Sequence, residues 1–448
     1  MTAVAQRWNT RFGFLMASVG FAVGLGNIWR FPYVTGENGG SAFVLVYLVC
    51  TFGIGIPIVM AELMLGRQGR LTPPPAMAAV ASDNGLSRHW SMVGYLNLLT
   101  AFSILVTYAV VCGWVLYYLY LALIGDLVSA DAASSGVRFD ALLADAPTLT
   151  GWALVALVIA SGIIYRGVQR GIERAVTVLM PLLFLLLIAL VGFNVVAGGI
   201  AETLAYLLKP DFSKLGPSML LAAIGQSFFS IGVAMAGMMM FGAYLSDTVS
   251  IGRSAFLIVM ADTLVALLAG FVIFPMVFNN GLDPAQGTGL IFKTLPLAFG
   301  QMPGGEWIGV LFFLLLSVAA VTSIVGFCEP LGAWLAQRSG WSRHRASVVL
   351  GVTAMTCSFV SVLSYNHWAQ ISVFSVSLNV VMDFVPNQVL LPLGGLCIAL
   401  FAGWFVRSEY SASALNLEGK RLFQLWQVLL RFVVVPALAI ILVTGIYG

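Results

Sequence analysis

Long apolar runs, cut by short polar ones, pattern this chain from end to end. A hydrocarbon core of about 30 Å is crossed by roughly 20 helical residues. Runs on that scale fall at 12–35, 41–69, 91–124, 150–165, 173–198, 217–244, 252–279, 306–336, 346–365, 369–405 and 423–446. They predict an all-α integral membrane protein with eleven transmembrane helices, spans one to eleven in chain order. Two runs depart from what lipid favours. Span one contains GFAVGLGNIWRFPY at 20–33, with glycines, an asparagine, an arginine and a proline. Span six contains GQSFFSIGVAMAGMMMFGAY at 225–244, where Ser227, Ser230, Gly232, Ala234 and Gly237 interrupt the apolar run.

In hydrocarbon an unpaired backbone group costs several kcal/mol, so unwound backbone survives only where protein, water or a ligand satisfies it. Ala22, Val23, Gly24 and Gly26 therefore mark a possible mid-membrane break that lines a site. For the glycines alone, close helix packing of the small-xxx-small kind (Gly20 to Gly24) is an equal alternative. Asn27 and Arg30, one turn on, weigh toward the site, because an ionisable residue in a span is a functional hypothesis by default. Interrupted helices at matching places in two five-helix halves point to an inverted repeat with a binding site between the halves. The halves would be 10–198 and 215–405, with 423–446 as a peripheral eleventh helix in one transporter domain.

Composition agrees: 60% of residues are hydrophobic and 9% charged, against about 25% charged in a soluble domain, and mean hydropathy is +0.99. Of the 21 Lys and Arg residues, only Arg138, Lys209, Lys214 and Lys293 fall in the segments that are external if the N-terminus is inside. The remainder, apart from Arg30 and Arg431 within spans, lie on the opposite side. The bias orients the N-terminus to the cytoplasm and the C-terminus outside. All five cysteines lie in apolar spans, which suggests no external disulfide framework. Polar residues run straight into span one, so no cleavable signal is expected. The segment 280–305 is too polar to span but has an apolar middle; a loop folded back into an outer vestibule and an ordinary surface loop both fit it. The three histidines sit near span ends, and H-E-x-x-H and G-x-S-x-G are absent, which argues against an enzyme. A channel is the rival of a different class, since broken helices also build filters. The pairing of two halves in a single chain weighs against it.

The stretch GFAVGLGNIWRFPY followed by ENGGSAFVLVYL resembles the signature of the neurotransmitter:sodium symporter family, the carriers of the leucine-transporter fold. GIPIVMAELMLGR in span two, GQSFFS in span six, AAVTS in span eight and VMDF in span ten match in the expected order over nearly the whole chain. Within the family the chain looks most like bacterial carriers of several hydrophobic amino acids. The resemblance implies a multi-pass protein of the bacterial plasma membrane that imports hydrophobic L-amino acids with sodium by alternating access. It implies two sodium ions, no organic cofactor and no nucleic-acid partner, and a monomer in the lipid bilayer is expected. A sodium-independent exchanger of the same fold is the nearest alternative; Asn27, Thr322 and Ser323 argue against it.

By the same resemblance, one sodium would take the carbonyls of Gly20, Val23 and Ala319 with the hydroxyls of Thr322 and Ser323. The spacing in AAVTS puts Ala319, Thr322 and Ser323 on one helical face, although such hydroxyls more often bond the preceding turn. The other sodium would meet Ala22, Asn27, Ser230, Asp262 and the substrate carboxylate. Many relatives have asparagine at the position of Asp262, and chloride-independent bacterial members typically carry glutamate where this chain has Ala266. Asp262 would then supply the balancing charge and make transport chloride-independent. A unit charge about 4 Å from a cation is worth roughly 4 kcal/mol at an effective dielectric near 20, before desolvation.

The substrate would lie against Ala22, Gly24, Leu25, Gly26, Ile104, Tyr108, Phe229, Ser230, Gly232, Met235, Ser323 and Phe327. Its carboxylate would meet the amides of Leu25 and Gly26 at a helix start and the Tyr108 hydroxyl. Gly24 in place of an acid favours an amino acid over a decarboxylated amine. Gly232 is expected to open volume and Met235 to adapt to different shapes. Arg30 would face Asp383 through water as the outer gate. Trp8, with Arg7 or Arg11, and Tyr244 would close the inner end, where the family's acidic partner maps onto Gln337. Gly171 and Pro181 would let span five unwind. Glu62 and Glu329 are expected to form a buried protonatable network.

Overall fold

The computed structural model describes residues 6–128, 132–209, 211–282, 289–373 and 375–447. Among them, nine helices are long and apolar enough to cross a membrane. They are Ser41–Gly69, Arg88–Leu123, Ala146–Tyr165, Val168–Ala197, Ile251–Asn279, Gly305–Ser339, Arg343–Ser364, Leu378–Phe405 and Arg421–Ile446. The pair Arg11–Ala22 and Gly26–Glu37, bent by 48°, makes a tenth when taken as one span. The sixth expected span resolves into Pro217–Ile231 and a short helix, Gly237–Ala243, each below spanning length alone.

Most helix boundaries lie within a few residues of the apolar runs; the tenth does not. Apolarity predicts 369–405, yet the helix starts at Leu378 and is preceded by a small antiparallel hairpin pairing Ser372 with Ser377 and Val373 with Val376. A run rich in β-branched residues satisfies hydropathy in either conformation, so hydropathy alone does not separate the two.

Span eight is the centre of the molecule. Its apolar window is 83% buried, against 28% for span eleven, which lies at the periphery. It packs on spans one, three, four, five and nine. Lipid gives little drive for helices to associate, so close backbone approach matters. A side chain at Gly66 would strike the backbone of Met239 and Ala243, and one at Gly242 would meet the Leu63 carbonyl at 2.5 Å. These contacts clamp span two to the second half of span six. In the segment 280–305, the described part folds back inward. The helical turns Leu290–Thr294 and Leu295–Gln301 bury Ile291, Phe292 and Phe299, and the Phe292 carbonyl accepts from the hydroxyl of Tyr118 on span three at 3.1 Å.

Span five is helical throughout, from a π-helical turn at Val168–Glu173 to Ala197, with Pro181 inside it. The unwinding expected between Gly171 and Pro181 is absent from this structure. Gly171 serves packing here, since a side chain would collide with the Ile163 carbonyl at the end of span four.

Candidate functional site

The first span breaks because its own donors are taken by side chains. Val23 turns extended (φ −71°, ψ 103°), and the helix restarts in a π-helical turn at Gly26–Arg30. The Gly24 amide donates to Asn27 Oδ1 at 3.1 Å, and the Leu25 amide donates to the Tyr108 hydroxyl at 3.4 Å. In a continuous α-helix those two amides would bond the carbonyls of Gly20 and Phe21. The Asn27 amide goes to the Gly24 carbonyl (3.2 Å), which likewise releases Val23. The two expectations for the glycines thus divide. Gly20 stays helical and packs, with Met180 and Thr322 closing off its Cβ direction, while Gly24 lies in the break.

The freed carbonyls converge on span eight. Ser323 Oγ lies 3.5 Å from the Gly20 and Phe21 oxygens and 3.4 Å from that of Val23. Thr322 Oγ1 sits 3.0 Å from the Val318 carbonyl and 3.1 Å from that of Ala319, its own preceding turn. One serine proton serves one carbonyl, so acceptors outnumber donors in a buried pocket. A surplus of hard oxygens of this kind suits an alkali cation. Gly20, Val23, Ala319, Thr322 and Ser323 are all brought together, and the Phe21 carbonyl joins them without having been expected.

A second cluster lies beside it. Asn27 Nδ2 donates to Ser230 Oγ (2.9 Å) and Asp262 Oδ1 (2.8 Å), and Ser230 Oγ donates to Asp262 Oδ2 (2.7 Å). Asp262 is fully buried, and the Asn27 oxygen caps the break at Gly24. Asn27 therefore clamps the carboxylate and shapes the backbone as well as standing at the expected ion position. Ala22 is the last helical residue before the break.

Around the breaks, a Cβ on Gly24 would stand 2.5 Å from Ser323 Oγ and 3.2 Å from the Tyr108 hydroxyl, and one on Gly26 would stand 3.1 Å from the Phe229 ring. The Phe327 ring packs against those of Tyr108 and Phe21, each 5.4 Å away. Ile104 and Met235 are buried in the same apolar core. Gly232 departs from expectation: its Cβ direction is filled by the Phe21 ring at 3.2 Å. Phe21 also covers Gly237 and Gly326, so three glycines from two spans form its cradle, and the room made by Gly232 is occupied by protein.

The break in span six, Gly232–Ala236, leaves Ser227 and Ser230 helical. Ala234 (φ 60°) and Ala236 (φ 63°) adopt the left-handed conformation, which L-residues visit at a cost. Glu62, fully buried on span two, accepts from the Ala234 amide at 2.5 Å. Gln226 reaches the other break, donating to the Gly26 carbonyl at 2.9 Å. The acid in MAELMLGR is visible in the sequence; that its partner would be a backbone amide 172 residues away is not.

On the outer side, Arg30 lies over the Phe229 ring (4.5 Å) beside a cavity of about 350 Å³ that Phe384 and Asn387 also line. Asp383 accepts from Asn387 at 2.8 Å, and no ion pair joins it to Arg30. The other end is shut. Trp8 Nε1 donates to the Phe241 carbonyl (3.2 Å), and its ring packs on Phe241 and Tyr244. Tyr244 donates to Glu329 at 2.5 Å, and Glu329 forms an ion pair with Arg343, which also donates to Gln6 at 3.0 Å. Glu329 is thus part of a latch with Arg343 and does not form a network with Glu62. Gln337 bonds Thr72 (2.5 Å), and Arg7 contributes its backbone carbonyl, accepting from Gln169 at 3.0 Å. The cation expected from Arg7 or Arg11 is supplied by Arg343. The sequence reading also missed Glu173, which accepts from the amides of Asn9 (2.9 Å) and Thr10 (3.0 Å) and from the Thr10 hydroxyl (2.7 Å).

Comparison with known proteins agrees with this architecture. Residues 5–136 and 143–447 match the sodium:neurotransmitter symporter family. The crystal structure of MhsT in complex with L-phenylalanine superposes with a TM-score of 0.90 at 37% identity, covering 99% of this chain and 100% of that one. The sodium-dependent transporter YhdH of Bacillus subtilis is 35% identical over 97% of this chain and 96% of its own length. A sodium-dependent transporter of Haemophilus influenzae is 31% identical over 99% and 98% respectively. All of these are transporters, and none is an enzyme. The chain belongs to the sodium:neurotransmitter symporter family and is a sodium-using membrane transporter of the leucine-transporter fold.

Proposed function

We propose that this protein is a symporter that couples inward movement of sodium to uptake of hydrophobic L-amino acids, aliphatic and aromatic, without chloride. The observation that carries the reading is the release of the Gly20, Phe21 and Val23 carbonyls toward Ser323, beside a built-in carboxylate on Asp262. Two sodium ions would be held there, one by the released carbonyls with Thr322 and Ser323. The other would lie at Ala22, Asn27, Ser230 and Asp262. The substrate carboxylate would take the amides of Leu25 and Gly26, which sit at a helix start, with the Tyr108 hydroxyl. The ammonium would take carbonyls of Ala22, Phe229 and Ser230. The tight space at Gly24 leaves no room for an acidic side chain, which favours a substrate that brings its own carboxylate. Phe21, Tyr108, Phe229 and Phe327 offer an apolar wall, and Met235 a deformable one.

In this reading the chain has eleven spans, counting the two parts of span six, arranged as inverted halves 10–198 and 215–405 with 423–446 outside them. It works as a monomer in a bacterial plasma membrane, N-terminus inside and C-terminus out. Arg30, Phe229 and Asp383 guard the outer entrance, and the Trp8 and Tyr244 latch guards the inner one. The test is uptake of labelled tryptophan and leucine into proteoliposomes under a sodium gradient, with choline or gluconate replacing sodium or chloride. Accumulation that needs sodium but not chloride, and that apolar amino acids but not lysine or aspartate compete, is the expected result. Sodium-independent exchange would remove the ion assignments.

A further inference from the structure

A second feature lies away from the transport site, at the end of the molecule that holds Trp8. A lipid-facing trough of about 710 Å³ runs between spans four and nine, walled by Leu154, Val158, Val348, Val352 and Phe359. Its floor at Gly162 and its wall at Val158 continue into an adjoining hollow edged by Arg166, Arg170 and Arg174. Tyr165, at the end of the trough, opens into a cup of about 560 Å³ formed with the same three arginines and His344. The trough and the cup are therefore one continuous surface, apolar along its length and cationic at its end.

The backbone gathers these charges. Gly167 takes φ 86°, and the π-helical turn Val168–Glu173 follows, so that Arg166, just past the end of span four, is set beside Arg170 and Arg174 on span five. All three arginines are exposed. Among the described residues none of them is in an ion pair. The nearby acids are committed: Glu173 holds Asn9 and Thr10, and Glu329 holds Arg343. Isolated basic residues at the ends of spans are ordinary. Three unpaired guanidiniums sharing a cup with an acyl-sized trough are not accounted for by that tendency. Guanidinium forks match phosphate oxygens, and basic pockets between helices recruit anionic headgroups.

We propose that this surface binds an anionic glycerophospholipid, with phosphate in the arginine cup and an acyl chain along the trough. The test is native mass spectrometry of the full chain released from phosphatidylcholine nanodiscs doped with cardiolipin. Retention of cardiolipin over phosphatidylcholine by roughly tenfold or more is expected from three arginines. The triple variant Arg166→Gln, Arg170→Gln, Arg174→Gln should fall to the phosphatidylcholine level, while the triple lysine variant keeps most of the preference. Gly162→Phe places a ring where a Cβ meets nothing within 4 Å and should lower retention several-fold by filling the trough. Undiminished retention in the glutamine variant would overturn the proposal. So would displacement by millimolar inorganic phosphate, which would mean a free-anion site, or paired chains in place of the lipid peak, which would mean that a second copy covers the trough.

Discussion

Ser323 stands where three backbone oxygens from another helix point at a single hydroxyl. With one proton among three carbonyls, the group is better matched to a cation than to itself. An oxygen ligand to a charged partner contributes about 1.5–3 kcal/mol, so Ser323→Ala should raise the sodium concentration for half-maximal uptake roughly ten- to hundredfold. Sodium titration of uptake measures this. Asp262 makes a different prediction. Its carboxyl group is held by Asn27 and Ser230 at 2.8 and 2.7 Å, so it stands fixed in place beside the proposed ion. Wild-type uptake should be equal in chloride and gluconate, whereas Asp262→Asn should need chloride for more than a small remnant. A variant indifferent to chloride would show that the balancing charge lies elsewhere.

Among the elements, span five carries a latent weakness. Pro181 offers no amide to the Thr177 carbonyl, and an interior proline costs a helix about 3 kcal/mol; even so, the helix is intact in this structure. Pro181→Ala should strengthen it, lowering turnover several-fold while leaving the substrate concentration at half-maximal rate nearly unchanged. Steady-state uptake separates the two. The broken elements show what a linear reading can reach. Glycines and polar residues in GFAVGLGNIWRFPY and GQSFFSIGVAMAGMMMFGAY marked both breaks, because lipid punishes such residues wherever nothing satisfies them. The partners that fix the breaks were out of reach. Glu62 meets Ala234, Tyr108 meets Leu25, and Phe21 fills a cradle whose glycines lie on spans six and eight. Nothing local distinguishes Gly232 as a socket for Phe21 from Gly232 as room for substrate. Span ten shows the converse limit, since hydropathy carried its start back across a hairpin that only pairing geometry reveals.

For the molecule as a whole, one end is latched and the other holds a cavity beside Arg30. On the proposed assignment, ions held between spans one, six and eight would tie the two broken helices to the central one, so removing them should loosen the entire bundle. A ligand at a hundred times its dissociation constant stabilises by about 2.7 kcal/mol. Replacing sodium with choline should accordingly lower the melting temperature of the detergent-solubilised protein, and Ser323→Ala should shrink that difference. An unchanged melting temperature in wild-type protein would argue against sodium bridging the spans.

Glu173 pins the start of span one to the start of span five. Its carboxylate receives Asn9 and Thr10 just before span one begins and sits in the first turn of span five. Thr10 in turn caps span one by accepting from the Gly13 amide at 2.9 Å. A tilt of span one must therefore either drag the start of span five with it or snap three hydrogen bonds at one residue. In such a tilt the two helices would move as a crank and its rod. Thr10→Ala and Glu173→Gln should for that reason produce the same leaky carrier, and combining them should add little, because both disconnect the same joint; cysteine accessibility below Trp8, compared across the three variants, reads it out.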